Sequence, residues 1–469
     1  MRTLPREHMI AIVIPAILAG VISVVAPPAP VVGVLAILTF IALVVRWPMF
    51  GWIMVVLAYP FIYLQFFLGR TIDIPYVDAF AILTLTAVGV RLLVQRWRSK
   101  HWSLEIGHWS FSPGLLPFLL FLAAAALSLT NTDDVALGVK FLLRPLAFFY
   151  LMYVVLPWVL IDRPERLFRT FRALFVVGCI AAAMGAWSLV FPPEPGAFRR
   201  AVPIVIHGMT PLGTNHNLIA EVLVSVIPIG FVLAARARGF RRRWYIVGTA
   251  LLALVTLLTF SRNGWITLAI ESVIVMTAIA RTRRISWRSI LQWAVPMVAT
   301  AAIVVGVFST TSIARSSNRN RMQLTQIALV QFREHPWVGA GVGTFIEAVS
   351  RDRWYIADFG KPQEAHGLVQ KLLAETGTFG LLSFLALLGT ILARIIRVLR
   401  HPSTDASWRL ILLALLCSAA GSIVFQLFNT SYFVSKLWLP LGLALTAAHL
   451  AERRMELHSS PRTAINVTA

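Results

Sequence analysis

Residues 364–397 read EAHGLVQKLLAETGTFGLLSFLALLGTILARIIR and join a long polar segment to an apolar run. The run that begins at Leu368 is long enough to cross a bilayer, because a membrane-spanning helix needs roughly 20 apolar residues. The segment from Ser309 to Lys371 is the one long polar interruption in an otherwise apolar sequence. The pattern therefore predicts a membrane helix that follows a large polar loop, with His366 at the base of that loop.

The composition extends this interpretation to the whole chain. The 469 residues are 58% hydrophobic and 13% charged, and the mean hydropathy is +0.77. A soluble domain would carry roughly 25% charged residues. Barrel strands are about ten residues long and alternate in polarity, which does not fit the long apolar runs. We therefore predict an all-α polytopic membrane protein with about 12–14 transmembrane helices and one long extracytoplasmic loop.

About fourteen apolar runs are candidate spans. Their approximate bounds are 9–26, 30–46, 49–69, 75–95, 114–131, 136–161, 168–191, 217–236, 243–260, 263–281, 290–308, 368–397, 409–428 and 432–451. The first run lacks a small-residue cleavage site, so we expect a retained helix and not a signal peptide. The predicted division is transmembrane helices in 1–308, the loop with the catalytic motif in 309–371, C-terminal helices in 372–455 and a cytoplasmic tail in 456–469.

Basic residues are concentrated in alternate connections between the apolar runs. Most of the 42 Lys and Arg residues lie near the N-terminus, at Arg46 and in 91–100, 163–172, 236–243, 281–288, 394–409 and 453–462. Cytoplasmic connections carry this excess, which predicts that both termini are cytoplasmic and that the 309–371 loop faces the periplasm. The distribution also explains the net charge of +22 without a nucleic acid partner. The loop is itself basic, so an anionic ligand is expected there.

The two cysteines, Cys179 and Cys417, both lie in apolar runs. They predict neither a disulfide framework nor a metal cluster. The histidines lack the spacing of a zinc protease motif. We expect no metal and no cofactor.

Lys140 and Arg144 are four residues apart in the run 136–161, so they share a helix face near its outer end. Ionisable residues within a span usually face a cavity or a partner. They can also extend to the membrane surface, an alternative that suits Lys140 better than Arg144. Arg144 is therefore the stronger candidate of the two for binding an anion.

Three other segments offer polar groups on the predicted outer side. Arg262 lies in the short connection Ser261–Gly264, where its guanidinium can bind phosphate oxygens or anchor the chain at the interface. His335 precedes the glycine-rich stretch 336–343, which is either an anion-binding turn or a purely structural one. Asn215, His216 and Asn217 precede another span, where they could cap its helix or line a polar pocket.

His366 lies just before a span, and an imidazole there can accept a proton from an attacking hydroxyl. The alternative is an interfacial histidine with a structural role. Gly377 and Gly380 follow on one helix face, which predicts close helix packing. The long loop and its arginines favour a functional histidine.

These segments together resemble the O-antigen ligase and polymerase family (WaaL- and Wzy-like proteins). The ligase motif, a histidine, a small polar residue, nine residues and Gly-x-x-Gly, matches 366–380, although Gly367 stands where the family has Asn, Ser or Gln. Residues 321–345 resemble the family's Arg, amphipathic helix, Pro and Gly-x-Gly, and 259–264 resemble its Ser-Arg-x-Gly hairpin. Residues 213–217 are similar to its Gly-Thr-x-x-Asn segment.

The family usually has an arginine shortly upstream of that last segment. Here His207 and Thr210 occupy the region, and Arg199 and Arg200 are displaced along the chain. The resemblance covers mainly residues 140–390.

The resemblance implies a helical membrane glycosyltransferase of the GT-C type. It would move a glycan from undecaprenyl diphosphate to a lipid-linked acceptor, of the lipid A core type in ligases, on the outer face of the bacterial inner membrane. His366 would act as the base and the reaction would invert the anomeric configuration without a metal. Arg144, Arg262, Arg321 and Lys140 would bind the diphosphate. Asn215, His216, Asn217 and His335 would line the acceptor pocket.

Three alternatives stay open. A polysaccharide polymerase of the same family would use the same donor with another lipid-linked repeat as acceptor. A lipid or polysaccharide transporter would suit many spans with charged residues, but paired broken helices and inverted repeats are not evident in the sequence. A polymerase of the peptidoglycan type would use an outer carboxylate, such as Asp352 or Asp358, as its base.

Overall fold

A computed structural model gives the fold. The residues that it describes are 28–68, 72–98, 114–192, 198–206, 208–282, 312–429 and 434–459, with isolated positions between 288 and 306. The predicted spans 9–26 and most of 290–308, together with His207, lie outside the described residues. The described chain divides into two compact units, one of residues up to 58 with 65–105, and one of 59–64 with the rest.

The described part of the first unit contains three helices and a hairpin. The elements are α1 (Pro28–Arg46), α2 (Pro48–Ala58), β1 (Gln65–Leu68), β2 (Ile72–Pro75) and α3 (Tyr76–Arg98). The strands are antiparallel, with Gln65 opposite Pro75. The predicted span 49–69 is therefore wrong in its second half, because an apolar run is compatible with both a strand and a helix.

The second unit contains the remaining helices. They are α4 (Leu115–Ser128), α5 (Val135–Leu160), α6 (Pro164–Val190), α7 (His216–Arg236), α8 (Gly239–Leu258), α9 (Arg262–Thr282), α10 (Ser312–Glu334), α11 (Phe345–Arg351), α12 (Arg353–Phe359), α13 (Leu368–Arg400), α14 (Ala406–Leu427) and α15 (Ser435–Ser459). Most of these bounds agree with the predicted spans to within a few residues.

In the part of the chain that the structure describes, 6 helices are long and apolar enough to cross a membrane. They are Tyr76–Val94, Val135–Leu160, Pro164–Val190, His216–Arg236, Leu368–Arg400 and Ala406–Leu427. Shorter apolar helices cover Ile37–Arg46, Pro48–Ala58 and Leu115–Asn131. The prediction of a mainly helical membrane protein is thus confirmed. The larger number of spans stays a prediction.

Helix α5 widens in its middle. Residues Leu142–Phe148 and Leu151–Val155 are π-helical. Pro145 lies in the first of these segments and has no amide to donate, and a widened turn is one way for a helix to accommodate the missing bond.

The polar loop is largely helical and has a small core of its own. Helix α10 is followed by the short helices α11 and α12. The buried core residues are Leu324, Ala328, Phe345, Val349, Tyr355, Ala365 and Ala374. Because Ala365 and Ala374 flank the start of α13, this core fixes the loop to the base of that helix.

Helix α13 is broken at Gly377, where φ is 63° and ψ is −163°. The loop segment 336–341 fills the break. The amides of Ala340 and Gly341 donate to the carbonyls of Ala374 and Glu375 at 2.9 and 3.1 Å, and the amides of Thr378 and Phe379 donate to Pro336 and Trp337 at 2.9 and 3.1 Å. The backbone groups that the break leaves without helical partners are therefore satisfied by the loop.

The predicted role of Gly377 in close helix packing is therefore wrong. A Cβ at this position would lie 2.5 Å from the carbonyl carbon of Trp337, and the positive φ favours glycine. The glycine permits the break and the close approach of the loop segment.

A buried ion pair joins α7 to α15. Lys436 Nζ lies 3.0 Å from Glu221 Oε2, and both side chains are almost fully buried. Gln426 of α14 donates a further hydrogen bond to Glu221. Charged groups within a helix bundle need such partners. These interactions therefore connect α7, α14 and α15.

Candidate active site

Three arginines and two histidines lie close together on the side of the second unit that carries the polar loop. The positive charges of Arg200, Arg262 and Arg321 all act on the His216 imidazole. Arg262 also acts on Arg321, and Arg321 acts on His366. We call Arg200, His216, Arg262, Arg321 and His366 the arginine–histidine cluster.

The hairpin between α8 and α9 positions Arg262. Phe260 has a positive φ of 54°, and its ring packs against Trp265 at a centroid distance of 5.8 Å. The hydroxyl of Ser261 donates to Asn217 Oδ1 at 2.7 Å. Because Asn217 follows His216, this bond holds the start of α7 beside the hairpin.

The start of α7 is a capped helix terminus. The side chain of Asn215 accepts a hydrogen bond from the amide of Asn217 at 2.9 Å, which is the geometry of an N-cap. Of the three residues that the sequence indicated here, Asn215 therefore caps the helix, Asn217 contacts the hairpin and His216 lies in the cluster.

Contacts of the nearby residues Phe198 and Ala201 place Arg200 in the cluster. The amide of Ala201 donates to the carbonyl of Leu258 at 2.8 Å, and the ring of Phe198 packs against that of Phe260 at 4.9 Å. Arg200 is half-buried whereas Arg199 is exposed. The contribution of Arg200 is a finding of the structure, since the sequence left the choice between these two arginines open.

A chain of side-chain hydrogen bonds connects the hairpin to the end of the loop. Arg262 Nη1 donates to Asn318 Oδ1 of α10 at 2.8 Å, and Arg321 lies one turn further along that helix. Asn320 donates to Gln363 at 3.0 Å and accepts from the Tyr355 hydroxyl at 2.8 Å. Gln363 is three residues before His366, so α10 holds both Arg321 and the histidine turn.

Burial and charge determine the protonation of the cluster. Burial, with the Arg321 charge, lowers the pKa of His366 to about 4. The imidazole is therefore neutral at neutral pH. Burial, with the Arg262 charge, lowers the pKa of Arg321 to about 10, which leaves this guanidinium protonated. Burial also lowers the pKa of Arg200.

A buried network supports the turn that carries His366. Lys371 forms ion pairs with Glu364 and with Glu375, the latter at 3.4 Å. Glu375 Oε1 accepts a hydrogen bond from the amide of Phe345 at 3.2 Å. Lys371 is fully buried, so its charge is compensated inside the protein and is not part of the basic surface of the loop.

Other basic residues of the loop are also paired. Arg319 lies 2.6 Å from Asp358, and Arg351 lies 3.1 Å from Asp133. These pairs account for part of the basic character that the sequence assigned to an anionic ligand. The prediction of an anionic ligand therefore depends mainly on Arg262 and Arg321.

Lys140 and Arg144 lie on the exposed surface of α5. The Arg144 guanidinium is 5.9 Å from the centroid of the Phe149 ring. The structure thus gives Arg144 an aromatic neighbour on its own helix. The predicted diphosphate contacts of both residues stay predictions.

His335 lines a separate cavity of about 730 Å³ on the other side of α10. Its lining includes carboxylates, amides and two aromatic residues, Trp354 and Tyr355. The glycine-rich segment beside His335 has little capacity for an anion, because the amides of Gly339, Ala340 and Gly341 are all donated to backbone carbonyls. The structural reading of this turn is therefore supported.

The comparison with protein families agrees with the motifs. Residues 247–385 match the family model described as O-antigen ligase. The match includes Arg262, Arg321, His335 and His366, and it begins after Arg200 and His216. The resemblance noted in the sequence is confirmed over this part of the chain. A search of curated proteins found no match to the chain.

Proposed function

Because residues 247–385 match the family model described as O-antigen ligase, we propose that this protein is a ligase-type glycosyltransferase of the GT-C type. It transfers a glycan from undecaprenyl diphosphate to a lipid-linked acceptor of the lipid A core type at the periplasmic face of the inner membrane. The observation that carries the proposal is the approach of Arg200, Arg262 and Arg321 to His216, and of Arg321 to His366, at the base of the polar loop.

The arginines of the cluster bind the diphosphate. Guanidinium groups form strong, often paired, hydrogen bonds with phosphate oxygens. Three arginines that act on one imidazole provide positive charge where the leaving diphosphate develops negative charge. No metal is needed in this scheme, since the arginines carry the compensating charge. Lys140 and Arg144 would extend this surface towards the lipid tail.

His366 receives the proton of the acceptor hydroxyl. As the hydroxyl oxygen attacks the anomeric carbon, the bond from that carbon to the diphosphate breaks, and the configuration inverts. The His366 residue is only partly buried, and a neutral imidazole has one ring nitrogen without a proton that can accept this one. The bound diphosphate would offset the Arg321 charge and make His366 a stronger base when donor is present.

The reacting end of the acceptor is bordered by the Asn215–Asn217 segment, and more distant acceptor sugars occupy the separate cavity that His335 lines. Support comes from the chemistry of the lining, which combines amides and carboxylates with an aromatic side chain, Trp354, that is 85% exposed. Such groups can hydrogen-bond to hydroxyls and cover an apolar sugar face.

The test is a transfer assay in nanodiscs with a labelled undecaprenyl-diphosphate glycan and a lipid A core acceptor. Arg262→Ala should weaken donor binding by roughly 10- to 100-fold, because a charge-assisted hydrogen bond is lost. His366→Ala should retain donor binding and lose transfer by roughly 10²- to 10⁴-fold. Arg333→Ala is the matched control, since this arginine is exposed at the end of α10.

Full turnover by His366→Ala would contradict the assignment of the base. The products separate the two activities of the family. A single His366-dependent product identifies a ligase, whereas a His366-dependent ladder identifies the polysaccharide polymerase. Donor binding without any transfer by the unaltered protein would favour a transporter.

A further inference from the structure

A basic cavity lies at the far end of the helices that carry the arginine–histidine cluster. It has a volume of about 1320 Å³ and is formed by the start of α6, the end of α7 and the start of α8. Helix α7 runs from His216 in the cluster to Arg236 in this cavity. At a rise of about 1.5 Å per residue, the two sites are roughly 30 Å apart, so this cavity is no part of the proposed active site.

Arginines dominate the charge of the cavity. Arg172, Arg236, Arg238 and Arg241 line it, against the single acid Glu165. The N-cap positions of α6 and α8 have no side-chain cap hydrogen bond, and helix N-termini add positive potential. The electrostatics favour an anion with more than one negative oxygen.

One of the arginines is held in place by the protein. Arg236 Nη1 donates to Ser407 Oγ at 2.7 Å, and its guanidinium lies 4.5 Å from the centroid of the Phe168 ring. Because a guanidinium has five N–H donors, Arg236 retains donors for a ligand while its position is fixed.

The surroundings favour a lipid over a free anion. Phe240 and Trp244 line the cavity and are 81% and 58% exposed. Aromatic residues with this exposure are typical of a membrane interface. From Trp244 an exposed apolar stripe continues along one face of α8 through Val247, Leu251 and Leu254. The spacing of three and four residues places these side chains in line, beside the route of an acyl chain.

We propose that this cavity binds an anionic phospholipid, with its phosphate groups among the arginines and its acyl chains along the exposed stripe of α8. Basic pockets between transmembrane helices are suited to such headgroups. The lipid would connect α6, α7 and α8 at the end opposite the cluster.

Native mass spectrometry of the full-length protein with added cardiolipin, phosphatidylglycerol or phosphatidylcholine tests the proposal. We expect the anionic lipids to be retained at least about tenfold more than phosphatidylcholine. The double variant Arg172→Ala/Arg241→Ala should lose this preference. Both positions are exposed, and each variant is first checked for a native elution profile and melting temperature.

The matched control is Arg397→Ala/Arg400→Ala, which removes two exposed arginines from the last turn of α13 and should retain the lipid. Equal loss in both double variants would overturn the proposal, because charge alone would then explain binding. Equal retention of phosphatidylcholine would also overturn it. Displacement by millimolar inorganic phosphate would assign the cavity to a free anion instead.

Discussion

At the scale of single residues, Arg321 affects both proposed steps. Its guanidinium lies in the cluster that would bind the diphosphate, and its charge helps to hold the pKa of His366 near 4. In the free protein a histidine with this pKa is a weak base. The donor's negative charge would raise the pKa, so base strength would increase only when the leaving group is bound.

A pH prediction follows for His366. A lowered pKa means that the neutral imidazole dominates above about pH 4, so its reactivity should not decline between pH 8 and pH 5.5. Burial and the Arg321 charge both lower the pKa of His366. Arg321→Gln removes the second cause, so the pH midpoint of His366 reactivity should rise, while burial keeps it below the ordinary value of 6.5.

The measurement is the rate of His366 modification by diethyl pyrocarbonate, followed by mass spectrometry of the peptide, which needs no turnover. Arg333→Gln serves as the control and should leave the midpoint unchanged. An unchanged midpoint in Arg321→Gln would show that the Arg321 charge does not reach His366.

The cluster residues that lie in sequence motifs could be predicted from the sequence. The roles of two further basic residues, Arg200 and Lys371, were not predicted. Arg200 was not selected, because its place depends on the pairing of Ala201 with Leu258, which is remote in sequence. Lys371 was counted among the basic residues of the loop, although Glu364 and Glu375 enclose it. Arg200 depends on a pairing that only the folded chain brings together. The Lys371–Glu375 pair is four residues apart on one helix, so that partner was available from the sequence.

At the scale of elements, apolar runs located most helices, whereas the internal geometry of those helices was not predictable. Gly377 and Gly380 were interpreted as one packing face. In the structure Gly377 breaks α13 and the segment 336–341 completes its hydrogen bonds. The spacing of residues in a sequence indicates which of them share a helix face. It does not indicate where a segment from elsewhere in the chain interrupts that helix.

Gly377→Ala should destabilise the protein by on the order of 1–3 kcal/mol, because alanine resists the positive φ and its Cβ would clash with Trp337. Gly389→Ala in the same helix is the control, since nothing lies within 4 Å of a Cβ there. The measurement is the thermal unfolding of both variants in the same detergent. Equal melting temperatures would contradict the described break.

At the scale of the whole molecule, the distribution of basic residues predicts an orientation in the membrane. The loop 312–363 and the cluster lie at one end of α7, and the connection between α7 and α8 lies at the other. The excess of Lys and Arg in that second set of connections predicts that it is cytoplasmic. The proposed function needs the loop to face the periplasm, where the lipid-linked glycan would be presented.

Cysteine labelling tests this orientation. Ser350→Cys in the loop and Ser403→Cys between α13 and α14 both replace exposed residues. In spheroplasts a membrane-impermeant maleimide should label the first and not the second, and permeabilised cells should label both. The unaltered protein gives the background, as Cys417 is buried and Cys179 partly so. Labelling of Ser403→Cys alone in intact spheroplasts would reverse the predicted topology.

The insertion of segment 336–341 into α13 has a consequence for biogenesis. The segment precedes α13 in the chain, so its hydrogen bonds to that helix can form only after α13 has been synthesised. Neither part has all of these backbone hydrogen bonds without the other. Grafting residues 312–363 onto another transmembrane scaffold would transfer Arg321 and segment 336–341 but leave behind the α13 residues that complete the hydrogen bonds of this segment.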